Sequence, residues 1–368
     1  MRKADKVTVD VISKKAGVST ATVSRVLNDS PLVHPKTKRK VLRIVQELNY
    51  VPNALARNLS LNRTDTIGAI LPWVASGFYS ELLRGVDDVA RAAGYHIILG
   101  ICHDREQGPE LALKYIREQR TDGLIILDPV LDEPILDEIR RQNVPFVLID
   151  RTVPSQHVNT IMIDDFNGAR NMTRHLIEEG YQNILFITGD LQSYDARERL
   201  RGYQEAIEES QLAQKKELVI ESNFTREDVV PKIAKYVEKN LLPDAIFCSN
   251  DEMALGVYRY LLENDYKIPD DVALAGFDGI DTIDFLGITT AKIPMHDLGA
   301  AAARLLVDQL VKGRSGGDTP ALQPQKVMLQ TELLIRKSTL NPKKAAKLVE
   351  NGPIQTKLVG EKRREPLL

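Results

Sequence analysis

The 368-residue chain reads as an α/β protein: a small all-α headpiece followed by a larger core of two doubly wound parallel-sheet lobes. Three observations predict this. In the first 50 residues, apolar positions recur only at helical spacing. From Thr66 onward, short continuous apolar runs alternate with amphipathic stretches, the pattern of parallel strands covered by helices on both faces. Charge is also divided. Residues 1–63 carry 13 Lys and Arg against 4 Asp and Glu, a formal +9, whereas the whole chain is −2 and the other 305 residues sum to −11. A basic module on an acidic body points to a polyanion met by the N-terminus alone.

Val9, Ile12 and Ala16 share one helical face, and Val23, Val26 and Leu27 share another after a break at Gly17. Ser19 suits the N-cap of a helix starting near Thr20. This is the layout of a helix-turn-helix, whose second helix enters the DNA major groove. An ordinary helical hairpin has the same periodicity. Thr20, Ala21, Thr22, Ser24 and Arg25 face outward on the second helix, and with Thr8, Ser19 and Asn28 they form the candidate DNA-contacting set. A third helix carries Lys36, Lys38, Arg39, Lys40 and Arg43, with Val41, Leu42, Val45 and Leu48 on its buried side. These elements make residues 1–50 the headpiece.

Residues 51–64 read as a linker. Pro52 and Asn53 mark its start, and Ala54 to Leu61 have the length of about two helical turns, too short to be stable alone. Leu55 and Leu59 could pack on a twin segment or, with Arg57 beside them, wedge between base steps in the minor groove.

The core spans 65–337. Strands are predicted at 67–71, 96–101, 123–127 and 146–149 for a first lobe, then at 161–163, 184–188, 245–248 and 272–277 for a second. Helices fall between them at 78–93, 166–179, 197–209, 226–239 and 252–264; a helix at 296–312 and a strand at 326–335 pack back onto the lobes. Residues 338–368 read as a basic tail without a packed core.

Ligands of open parallel sheets bind beyond the carboxyl ends of the strands. Those ends supply Phe78 and Tyr79, Asp150 and Arg151, the run from Gly189 to Arg197, Phe224, Asn250 and Asp251, and Phe277 and Asp278. Aromatic rings beside Asp, Asn and Arg suit a sugar or similar polyol, with charged groups pairing vicinal hydroxyls and rings covering the C–H face. Asn250 and Asp251 are equally well placed to cap a helix. The effector-binding candidates are therefore Phe78, Tyr79, Asp150, Arg151, Arg197, Phe224, Asn250 and Asp278.

Composition narrows the classes. No apolar run reaches membrane-spanning length, and the opening Met-Arg-Lys-Ala-Asp-Lys lacks the apolar stretch of a signal peptide, so a cytoplasmic protein is expected. Cys102 and Cys248 sit in separate apolar runs, as buried free thiols do. The six histidines show no metal-ligand spacing, and no phosphate-binding glycine loop, nucleophile elbow or zinc-protease helix occurs. Neither a catalytic site, a metal nor a cofactor is expected.

Over residues 8 to about 337 the chain resembles the lactose/galactose repressor family of bacterial helix-turn-helix transcription regulators. The resemblance rests on Ala-Gly-Val-Ser-Thr-Ala-Thr-Val-Ser-Arg-Val-Leu-Asn (16–28), Tyr-Val-Pro-Asn-Ala-Leu-Ala-Arg-Asn-Leu (50–59), Ser-Asn-Asp-Glu-Met-Ala-Leu-Gly (249–256) and Gly-Phe-Asp (276–278). It implies a homodimer whose headpieces sit on a near-palindromic operator, and a periplasmic-binding-protein-like core that binds a small-molecule effector. By the same resemblance Arg25 reads the major groove beside Thr20 and Ala21, and Leu59 is the hinge wedge. Arg197, Asp278, Phe224, Asp150, Phe78 and Tyr79 are then effector contacts. The chain departs from the family pattern at Val11, where an acidic residue is usual, and at Ser76-Gly77, which replaces Asn-Pro. The alternatives are a stand-alone sugar receptor, which leaves the basic headpiece without purpose, and an enzyme, which lacks a catalytic constellation.

Overall fold

A computed structural model describes residues 7–50, 63–72, 76–102, 107–127, 133–151, 158–212, 218–314 and 323–342. The linker residues Arg57 and Leu59 lie outside these, as do residues 343–368.

Three helices form the headpiece: α1 (Val9–Ala16), α2 (Thr20–Leu27) and α3 (Pro35–Glu47). Gly17 ends α1 in the left-handed region (φ 62°), and the Ser19 hydroxyl accepts the Thr22 amide at 3.1 Å to start α2. Ile12, Ala16, Val23, Val26, Val41 and Ile44 form its core. Leu42, expected on the buried side, is 39% exposed; Ile44 takes that place because it stands three residues after Val41 on the same face.

Two six-stranded sheets make up the core. The first holds β1 (Thr66–Pro72), β2 (His96–Cys102), β3 (Gly123–Ile126), β4 (Phe146–Ile149), β5 (Asn159–Ile163) and β11 (Lys326–Leu329), all parallel in the order β11-β5-β4-β3-β1-β2. The second holds β6 (Ile184–Thr188), β7 (Val219–Glu221), β8 (Ala245–Cys248), β9 (Ala273–Asp278), β10 (Thr289–Lys292) and β12 (Glu332–Leu334). Its order is β12-β10-β9-β8-β6-β7, with β12 alone antiparallel. Both sheets reverse direction of growth between their first and third strands, β1/β3 and β6/β8, so each has a crevice at the carboxyl ends there.

The helices are α4 (Gly77–Ala92), α5 (Gln107–Arg117), α6 (Glu133–Arg141), α7 (Asp165–Glu178), α8 (Tyr194–Glu209), α9 (Arg226–Lys239), α10 (Asp251–Glu263), α11 (Asp281–Leu286) and α12 (Met295–Arg314).

Two expectations about the lobes change. The sequence pattern places the strand at 161–163 in the second lobe, but β5 pairs in the first sheet with β4 and β11. The single strand at 326–335 is two: β11 completes the first sheet and β12 the second. The chain therefore passes between lobes three times, from β5 into α7, from β10 into α12, and from β11 into β12. After the first passage α7 packs on α8 of the second lobe; after the second, α12 packs on α4 of the first. The α4/α12 contact is backbone-close. A Cβ at Gly85 would stand 1.9 Å from the His296 carbonyl oxygen, and one at Gly299 would stand 2.0 Å from that of Leu82. Residues 338–341, expected in the tail, are docked instead. Ser338 and Thr339 are buried, and the Asn341 amide donates to the Glu179 carboxylate at 2.9 Å. Cys102 and Cys248 are buried and unbridged.

Candidate functional site

On the headpiece, Thr8, Ser19, Thr20, Ala21 and Arg25 are exposed, and Thr22, Ser24 and Asn28 are half-buried. Val23 and Val26 fasten the opposite face of α2 to α1 and α3. Part of the positive charge is internally balanced: Lys15 pairs with Glu47 at 3.2 Å, Arg43 approaches Glu47 at 3.8 Å, and Lys38 pairs with Asp29. Arg25, Lys36, Arg39 and Lys40 make no ion pair among the described residues. A short, compactly backed helix presenting Thr20, Ala21 and Arg25 outward can enter a groove and place a guanidinium at base edges.

The second site lies where the carboxyl ends of both sheets and the β5–α7 passage meet. Arg199 of α8 is its hub, only 3% exposed. Its Nε donates to Asp165 Oδ1 at 2.7 Å and its Nη1 to the Ser249 carbonyl at 2.6 Å, with Asp278 Oδ1 at 3.5 Å. The guanidinium lies 4.0 Å from the centre of the Phe277 ring, which supports it from below. The first lobe contributes Phe78 and Tyr79, edge-to-face at 5.1 Å, and Asp150, whose carboxyl group faces that of Asp165. Arg151 follows, half-buried. The Tyr79 phenol is driven far above its ordinary value, by burial first and then by Asp195 and Asp278.

Burial raises Asp150, Asp165, Asp251 and Asp278. Asp150 and Asp278 are pushed well above the usual carboxylate range, and Asp165 is raised to about 6 with Arg199 opposing the shift. Asp251 is raised to about 7, although it accepts the Gly279 and Ile280 amides at 2.6 and 2.9 Å and the Thr290 hydroxyl at 2.8 Å. Those bonds make Asp251 the clamp that fixes the turn after β9. Asp150 (φ 52°), Phe224 (φ 67°) and Asp278 (φ 119°) all occupy the left-handed region, each at or just beyond the end of a strand. Such strain in non-glycine residues persists where the surroundings hold it, and it clusters at functional sites.

Of the residues expected here, Phe78, Tyr79, Asp150 and Asp278 are brought together. Phe224 lies over Gly189, where a Cβ would stand 2.0 Å from its ring. Asn250 holds that loop by donating to the Phe224 carbonyl at 3.0 Å while its Oδ1 accepts the Met253 amide at 2.9 Å, so it caps α10 as well. Arg197 is the correction. Its side chain is exposed and bonded to the Leu191 and Gln192 carbonyls, and the guanidinium that faces Asp278 is that of Arg199. Helical phase explains this: Ala196, Arg199, Tyr203 and Ala206 form the buried stripe of α8, and Arg197 lies off it. The same stripe was the signal that could have found Arg199. Asp165, two residues beyond the end of β5, is a strand-end residue outside the predicted set.

Residues 8–53 match the family model for bacterial regulatory proteins of the lacI family, and residues 173–339 match that for a periplasmic binding protein-like domain. Catabolite control protein A of Priestia megaterium is 34% identical over 310 residues, 83% of this chain and 93% of that protein. The chain belongs to the lacI family. The HTH-type transcriptional repressor PurR of Vibrio campbellii is 31% identical over 330 residues, 88% of this chain and 98% of that protein. Among solved structures, a lac repressor dimer bound to operator and the anti-inducer ONPF aligns with a TM-score of 0.77 at 27% identity, covering 91% of this chain and all of that one. A transcriptional regulator CelR–cellobiose complex aligns with a TM-score of 0.67 at 30% identity, covering 90% and 99%. This lacI-family member is thus a DNA-binding transcriptional regulator, and these relatives are regulators rather than enzymes. No helix among its described residues is long and apolar enough to cross a membrane.

Proposed function

We propose that this regulator works as a homodimer whose two headpieces occupy a near-palindromic operator, and that a sugar or similar small polyol in the lobe cleft sets operator affinity. The observation that carries the effector half is the buried Arg199, held between Asp165 and Asp278 opposite Tyr79 and Asp150. A guanidinium, carboxylates and rings converging at both sheets' carboxyl ends form the equipment for vicinal hydroxyls. The cellobiose complex of a structural relative supports a sugar, and the operator-bound dimer of another supports the assembly. Arg25 is the base reader, with Thr20 and Ala21 beside it; Leu59 and Arg57 serve the hinge. Repression is the polarity supported by the PurR relatives. Either polarity follows from one linkage, because ligand need only favour one arrangement of the lobes.

The test is operator binding by gel shift with and without a panel of sugars, with calorimetry on each sugar that changes it. The expected outcome is a retarded operator complex whose midpoint moves with one of them. Binding of a sugar with no specific DNA complex under any condition would favour the stand-alone receptor instead.

A further inference from the structure

We infer that the cleft selects its ligand by charge: it takes a molecule rich in hydroxyl or amine donors and rejects the phosphorylated or carboxylate-bearing forms of the same skeleton. The inference rests on the cleft being the effector site. Four carboxylates, Asp150, Asp165, Asp195 and Asp278, act on the one guanidinium of Arg199. That guanidinium is already engaged through Nε by Asp165 and through Nη1 by the Ser249 carbonyl. The surplus at the site is therefore one of acceptors. Asp165 is 1% exposed, yet among the described residues its Oδ2 accepts from no donor and neither does the buried Asp150 Oδ1, apart from a proton the two carboxyl groups can share. The Ser249 hydroxyl, wholly buried at the end of β8, also has no hydrogen-bond partner among the described residues. These oxygens can accept from the donors of a ligand.

A polyol supplies them: each hydroxyl can give its hydrogen to a carboxylate and still accept from a neighbour, and an ammonium gives three. A phosphate or carboxylate supplies acceptors alone and adds negative charge to a buried site where carboxylates already outnumber cations. The facing carboxyl groups of Asp150 and Asp165 follow the ends of the neighbouring strands β4 and β5, with Asp195, Asp278, Tyr79, Tyr194 and Arg199 around them. Burial raises both above the usual carboxylate range. Donors from a polyol favour the ionised pair, so binding should favour proton release, whereas an anion would favour proton uptake.

The experiment uses the full chain and three sugars, D-glucose, D-galactose and D-ribose. Each is offered neutral and as its terminal phosphate, with glucosamine, galactosamine and glucuronate added. Thermal shift is followed by calorimetry in two buffers of different ionisation enthalpy. At least one neutral or amino sugar should stabilise the protein and release protons, while its anionic form binds about a hundredfold more weakly or not at all. The double substitution Asp150→Asn with Asp195→Asn should narrow that ratio at least about tenfold. A sugar phosphate that shifts Arg199→Ala as much as wild type binds at the basic headpiece, and exclusion from the cleft stands. An anionic form that binds as tightly as its neutral parent, through a shift that Arg199→Ala removes, overturns the charge selection while leaving the effector site in place. If no member of any charge shifts the protein, the effector reading falls, and this inference with it.

Discussion

Arg199 is a cation with almost no water, fastened by Asp165 and lying over Phe277. Removing it leaves Asp165 buried without its counter-charge, and breaking such pairs costs about 3–5 kcal/mol. Arg199→Ala should therefore lower stability by that order in denaturant unfolding and abolish the response of operator binding to effector. Arg197→Ala, which removes an exposed side chain, should stay within about 0.5 kcal/mol of wild type and keep the response. Equal losses in the two variants would refute the assignment. On the headpiece, Arg25→Ala should cost about 1–3 kcal/mol of operator affinity and relax one base position, as loss of a bidentate contact to guanine does. Uniform weakening across operator variants, measured by competition, would mean that Arg25 touches phosphate only. Most of the cleft was legible from the rule that ligands sit beyond strand ends, because Phe78, Tyr79, Asp150, Phe224 and Asp278 all follow strands. Arg199 escapes that rule because helical phase, not a strand end, selects it; Asp165 lies two residues beyond β5 and so falls within the rule, but doubles as the first residue of α7, where an acid reads as an ordinary helix-start residue.

Among the elements, α4 and α12 touch through Gly85 and Gly299 with no room for a side chain. Gly299→Val places methyl groups against the Leu82 carbonyl, and a helix backbone cannot yield as a flexible side chain does. The expected result is a destabilisation of about 2 kcal/mol or more, measured by urea unfolding of the whole chain. A midpoint unchanged from wild type would show that α12 can slide. The long helices and the fully buried strands were readable from periodicity, because their burial repeats over several turns or residues. β7, β10, β11 and β12 were missed or merged for a physical reason. They are three or four residues long, several are only partly buried, and what defines them is pairing with strands far away in sequence.

For the molecule as a whole, the divided charge makes two equilibria answer differently to salt. Operator affinity should fall steeply as salt rises, because each phosphate neutralised by the headpiece releases condensed counterions. Affinity for an uncharged effector should hardly move. Titration of both at several salt concentrations checks this, and a flat DNA curve would contradict it. Stability should respond to pH through the cleft. Asp165 is raised to about 6 by burial, so its contribution is fully present below its ordinary value near 3.8 and is lost as pH rises through about 6. Between about pH 4 and pH 7 the ligand-free wild type should lose stability relative to Asp165→Asn, as read from denaturant midpoints at each pH; parallel curves would contradict the shift.

The pairing of β11 with β5 and of β12 with β10 also governs how the protein is made. Residues 326–334 supply an edge strand to both sheets, so during synthesis neither lobe can close while that segment is still inside the ribosome. Some 260 residues of apolar strand and helix wait outside with their seams open, in a chain long enough to populate aggregation-prone intermediates. The headpiece has a core of its own and is free of that delay. A nascent chain arrested before residue 326 should thus carry a folded headpiece and a protease-sensitive body, and both lobes should gain resistance in the same step once the segment emerges.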